Sequence, residues 1–171
     1  MTYVLMNKDE PLLLFSCERD EYDEVQLSEL EWFTDFRPLG YADLFSFLDR
    51  RKAPKHRKHI EQLLERYGCS DIDGFIRVTH AVSLNDTFWV KEEGSGLKWA
   101  DVSLYSNSFD EMIANAAFDG AVSDTDLSST SPEFGTDGSY AKCWVREDDG
   151  IYLCKSGRAA EKECRPSKDQ K

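Results

Sequence analysis

The sequence predicts an α+β fold in which small antiparallel sheets carry packed helices, and three observations lead there. Two pairs of short apolar runs flank turns, TYVLMN with PLLLFSCE and YAKCWV with IYLCK, and strand, turn, strand in this form is a β-hairpin. Between them, Leu44, Phe45 and Leu48, then Ile60, Leu63, Leu64 and Tyr67, recur at the spacing of a helix face. Finally, 40% hydrophobic and 12% aromatic residues over 171 positions supply enough apolar surface for a buried core, so a folded chain and not a disordered one is expected.

The opening hairpin turns at NKDE and is followed by an acidic run, RDEYDE. The next stretch, VQLSELEWFTDFRPLGY, has mixed alternation and is either a strand or an extended segment. A helix begins near Tyr41 and is ended by Pro54, and a second runs from Ile60 to Tyr67 with Gly68 just past its end. Asp71 is positioned to cap a short helix through IDGFIRVTHA, although Gly74 counts against it.

SLNDTFWVK and the WADVSLYSNSF beyond it concentrate Phe88, Trp89, Trp99, Tyr105 and Phe109 among polar residues. Such a cluster is either a second small core or a recognition platform. Large apolar groups on both faces of the short strand around Trp89 favour the core, with Asn85 and Asp86 pinning the turn before it. FDEMIANAAF reads as a helix capped by Ser108. The domain organisation expected is a hairpin-and-helix subdomain over 1–80, a sheet with a Ser/Gly loop over 81–157, and a polar, disordered tail over 158–171.

Charge limits the partners. The formal net charge is −12, from 33 acidic and 21 basic residues, which disfavours nucleic acid and anionic membrane surfaces. The one basic run, RRKAPKHRKH from Arg50 to His59, reads as a solvated junction between helices in preference to a phosphate contact. Five cysteines at irregular spacing, with no CxxC pair, give no zinc or disulfide framework. Without a signal sequence or a run of about eighteen apolar residues, a cytoplasmic protein with reduced thiols is expected.

The longest polar stretch, DGAVSDTDLSSTSPEFGTDGS, leads into the second hairpin. Its final part, TDGSYAK, is able to aim backbone N–H groups at one anion, with Gly135 and Gly138 allowing close approach. Lys142 and Lys155 follow on neighbouring strands near the end of the hairpin away from its turn. Thr136, Gly138, Ser139, Lys142 and Lys155 are therefore the candidate phosphate-binding residues, although both lysines would also serve as solubilising groups at a strand edge.

Taken together, SLNDTFWVK, WADVSLYSNSF and SPEFGTDGSYAKCWVREDDGIYLCKSG resemble the N-terminal, nucleotide-binding half of the HipA-like serine/threonine kinases. The resemblance covers most of residues 80–157. It implies an ATP site with magnesium, a loop covering the phosphates that carries an autophosphorylated serine at Ser128, Ser129 or Ser131, and a nucleotide-contacting Lys155 with Lys142 at the loop's base. A kinase also needs a catalytic Asp, an Asn and a metal-binding Asp in a following lobe. The segment after Lys155, SGRAAEKECRPSKDQK, supplies none of these, so the resemblance implies no catalytic residue here and no phosphate transfer by this chain alone. The alternative is a non-catalytic, antitoxin-like interaction module acting on a full-length HipA-like kinase or another protein; an acidic mimic of nucleic acid is permitted by charge but by no motif.

Overall fold

A computed structural model describes residues 1–54, 59–120, 131–136, 139–156 and the strand 162–166. The fold is α+β. Four antiparallel strands, β1 (Thr2–Asn7), β2 (Glu10–Arg19), β3 (Val25–Trp32) and β4 (Phe88–Glu92), form a sheet in the order β3-β2-β1-β4. The segment left open between strand and extended chain is thus a strand. At its start Asp20 Oδ1 accepts from the backbone N–H of Tyr22 and Glu24, which shapes the turn from β2. The register shifts where Leu14 pairs with Glu31 and Phe15 with Glu29, leaving Leu30 as a bulge on the outer strand.

Alternation along β1 explains why the sheet is covered twice. Tyr3 and Leu5 enter one apolar cluster and Val4 and Met6 another, while on β4 Val90 joins the first and Trp89 the second. Helices α1 (Leu44–Asp49), α2 (Glu61–Arg66), α3 (Ile72–Thr79) and α5 (Glu111–Asp119) fill the first cluster with Leu48, Leu63, Phe75 and Ala117. The second is closed by Val82, Leu84, Val102 and Leu104, and by Ile151 from the second hairpin. Trp89 is fully buried there, and its Nε1–H donates to the carbonyl of Lys8 at 2.7 Å. The aromatic segment is a core.

Helix ends follow their caps. Asp43 begins α1 by accepting from Ser46 N at 2.8 Å, slightly later than the expected start at Tyr41. Asp71 caps α3 through Gly74 N at 2.8 Å. Gly74 belongs in this helix because a Cβ there would overlap the carbonyl oxygen of Gly68, itself in the left-handed region at φ 68° where α2 ends. For α5 the cap is Asp110 and not Ser108: its Oδ1 accepts from Met112 N and Ile113 N, and its charge complements the N-terminal end of the helix dipole.

A second sheet has the order β5 (Lys142–Glu147), β6 (Gly150–Ser156) and β7 (Lys162–Pro166). One face of the hairpin packs on α5 through Cys143, Cys154, Ala114 and Phe118; on the other, Trp144 and Ile151 reach the second cluster. Two elements differ from expectation. The polar C-terminal segment contributes β7, whose pairing with β6 replaces the expected disordered tail over 162–166. A short helix, α4 (Trp99–Val102), sits in the aromatic segment and is capped by Asp101 Oδ2 and Asp9 Oδ1. The boundary expected at 80/81 falls within one sheet, because β1 needs β4 on its second edge.

Candidate functional site

The segment entering the second hairpin is stapled at several points. Pro132–Gly135 forms a 3-10 turn that buries Phe134 completely, and the Phe134 carbonyl accepts from Ala53 N at 2.6 Å. Tyr67 meets the Phe134 ring edge to face at 6.1 Å. Gly135 lies so close to the backbone that a Cβ would stand 3.0 Å from the Val82 carbonyl oxygen.

From this turn, side chains reach β5. Glu133, fully buried, accepts the backbone N–H of Trp144 on Oε1 at 3.0 Å. Trp144 is on the outer strand of the sheet, so the carboxylate occupies a donor that would otherwise recruit a further strand. Thr136 Oγ1 donates to the Pro132 carbonyl at 2.6 Å and accepts from Trp144 Nε1 at 2.7 Å. Lys142 is also buried, at 5% exposure, so the contact between turn and strand encloses ionisable residues of both signs. Buried charges persist where the opposite charge accompanies them.

The candidate phosphate residues therefore separate into two groups. Lys142 and Lys155 are directly opposed in the hairpin register, with Lys155 and Ser139 exposed at the same end. Ser156 N, donating to Ala141 O at 3.0 Å, closes that end. Thr136 is turned inward to Trp144, and Ser131 is only 3% exposed, with no hydrogen-bond partner for its Oγ. As placed, Ser131 is not presented to a phosphorylating enzyme. Gly138, Ser128 and Ser129 lie outside the described residues.

For a bound nucleotide the fit is partial. Lys155 and Ser139 suit a phosphate, a cation and a hydroxyl on one accessible edge. For magnesium, no group of three or more His, Cys, Asp or Glu among the described residues is placed to hold a metal ion.

Arg51, from the run read as a solvated junction, is instead buried. It donates through Nη1 and Nη2 to Asp86 at 2.6 and 2.9 Å, through Nε to Ala81 O, and through Nη2 to Phe88 O. Its neighbours Lys55 to Lys58 lie outside the described residues. The Arg-Arg-Lys sequence carries no sign that its second member is internal; the Asn-Asp turn at 85–86 is the signal that an arginine is needed. Two further features escaped sequence reading, Glu133 as an edge cap and a groove of about 330 Å³ between α5 and β5 lined by Phe109, Asn115, Cys143 and Arg146. Among the described residues no helix is long and apolar enough to cross a membrane. No family model, curated protein or solved structure matches the chain.

Proposed function

We propose that this chain is a nucleotide-binding lobe of the HipA-like kinase type, taking ATP phosphates at the exposed end of its second hairpin. The observation that supports the reading is the opposed pair Lys142 and Lys155, the first buried at the base of the stapled turn and the second open to solvent beside Ser139. In this reading Lys155 contacts phosphate, Ser139 adds a hydroxyl to the anion site, and Lys142 positions the strand. No residue is assigned to catalysis, and phosphate transfer requires a partner or lobe that supplies the Asp and Asn groups and the magnesium ligands. The setting is a reducing cytoplasm.

Calorimetric titration with ATP and magnesium tests this. One-sided coverage predicts a dissociation constant on the order of a millimolar, about −4 kcal/mol, abolished by Lys155→Ala. Equal binding by wild type and Lys155→Ala would reject the site, and submicromolar binding would reject a half-formed cleft.

A second reading, a non-catalytic interaction module, draws on a different observation. Leu30, Phe33, Phe36, Leu39 and Phe45 are all exposed within one short stretch, Leu39 completely, and exposed apolar residues gathered in this way mark protein contacts. Binding of a full-length HipA-like kinase that is lost in Phe36→Ser and Leu39→Ser, with ATP affinity unchanged, would favour it.

A further inference from the structure

The outer edge of β5 is open where α5 faces it. Ser156 N donates to Ala141 O, and bonded and non-bonded pairs alternate along an antiparallel ladder. Counting along the register, Trp144 with Leu153 and Arg146 with Ile151 are non-hydrogen-bonded pairs. The backbone polar groups of Trp144 and Arg146 therefore point away from β6. Glu133 takes the Trp144 N–H, in agreement with that parity. The next two groups along the edge, the Trp144 carbonyl and the Arg146 N–H, have no hydrogen-bond partner among the described residues.

Both residues line the groove of about 330 Å³ between α5 and β5. Its apolar side chains are Phe109, Ala114 and Val145, and the polar ones include Glu111, Asn115 and Arg146. Arg146 is fixed in position: its Nη2 donates to the carbonyls of Leu104 and Asn107, and its guanidinium lies over the Phe109 ring at 4.8 Å. Its Nε and Nη1 donors and the Asn115 side-chain amide have no partner among the described residues.

Size, charge and spacing then select an occupant. A volume of about 330 Å³ is at the small end for ligand sites. Arg146 and Glu111 bring opposite charges to the groove, and the chain as a whole carries −12, so a ligand of zero net charge is favoured over an anion. An outward carbonyl followed by an outward N–H, on residues two apart, is the edge that one residue of a parallel strand engages with its own N–H and C=O. An α-amino acid carries its ammonium and carboxylate at those same two positions. Its side chain would then lie on the face of Val145, which packs toward Ala114 of α5.

We propose that this groove binds a free α-amino acid with an aliphatic side chain about the size of leucine's. The carboxylate accepts from the Arg146 N–H and guanidinium. The ammonium donates to the Trp144 carbonyl and the Asn115 side-chain oxygen, and the aliphatic group covers Phe109, Ala114 and Val145. Charge-assisted bonds at both ends fix the orientation. This inference does not rest on nucleotide binding.

The test is titration of the isotope-labelled full-length chain, without nucleotide, followed through backbone amide shifts. The probes are L-leucine, glycine, isocaproate, isopentylamine and N-acetyl-L-leucinamide; the last four remove in turn the apolar group, the ammonium, the carboxylate and both charges. L-leucine should saturate with a dissociation constant on the order of a millimolar and move the Arg146 amide signal. Each other probe should bind at least about fivefold more weakly. Asn115→Ala, at an exposed position of α5, should weaken L-leucine by about threefold and narrow its advantage over isocaproate. No saturable shift from L-leucine up to about 10 mM, or shifts that spare Arg146, would overturn the proposal. So would isocaproate binding as well as L-leucine, which marks a plain carboxylate site, or N-acetyl-L-leucinamide doing so, which marks a peptide strand on the β5 edge.

Discussion

Replacing Trp89 with alanine separates a structural aromatic from a recognition residue. The ring is fully buried between β4, the Val82–Leu84 segment and the second hairpin, and its N–H satisfies the Lys8 carbonyl in the β1–β2 turn. Large aromatic deletions in cores cost about 3–5 kcal/mol. The abandoned carbonyl adds about 1 kcal/mol, for roughly 4–6 kcal/mol in all. With a urea m-value of about 2 kcal/mol per molar, the midpoint should fall by about 2–3 M. Trp89→Phe keeps most of the ring and loses the donor, so its cost should be about 1–3 kcal/mol. Urea denaturation followed by far-UV circular dichroism gives both values. An unchanged midpoint for Trp89→Ala would refute the reasoning and return Trp89 to the role of a binding residue.

Other expectations rest on separate features. Asp86→Ala should destabilise by about 3–5 kcal/mol by leaving Arg51 buried without its carboxylate, and Arg51→Met combined with Asp86→Ala should recover part of the loss; a double-mutant cycle in urea measures this, and additive losses would sink it. Ser131→Ala should be neutral or stabilise by up to about 1 kcal/mol, since the hydroxyl has no partner, while Ser131→Asp should cost at least about 2 kcal/mol; the thermal midpoint should hold or rise in the first variant and fall in the second. His80 gives a pH dependence. Burial lowers its pKa, against the opposing effect of the bond between Nδ1 and the Val90 carbonyl, so the unfolded chain takes the proton first as pH falls. The stability held above about pH 6.5 should decline below it, until the lowered native value is reached. Urea midpoints of His80→Gln should lack that component, and an identical decline would assign it to other groups.

What could be read from sequence divides along physical lines. Both hairpins were legible because each needs only adjacent runs and a turn. The two helices around Leu48 and Leu63 were legible because spacing records a buried face directly, and so was the turn held by Asp86, whose Oδ1 accepts from Phe88 N at 3.0 Å, whereas its pairing with Arg51 was not. The pairing of β4 with β1 was hidden, since it joins residues far apart in the chain, and with it the unity of the sheet. β7 was hidden because KECRP is polar and its strand character comes from the β6 edge. In the candidate site, the meeting of Lys142 with Lys155 was predictable from hairpin register. The inward positions of Thr136, Ser131 and Lys142 were not, because a polar loop gives no sign that Phe134 will anchor it in the core.

The position of β1 in the middle of its sheet bears on synthesis of the chain. It leaves the ribosome with β2 directly behind it, so one edge is paired early, but the partner for the other is β4. At about 5–20 residues per second, the interval between Val4 and its partner Lys91 is on the order of ten seconds. During that time an apolar edge, YVLM, remains unpaired and is a template for neighbouring chains. Slowing translation between β3 and β4 should therefore lower the soluble yield, whereas slowing it after β4 should not.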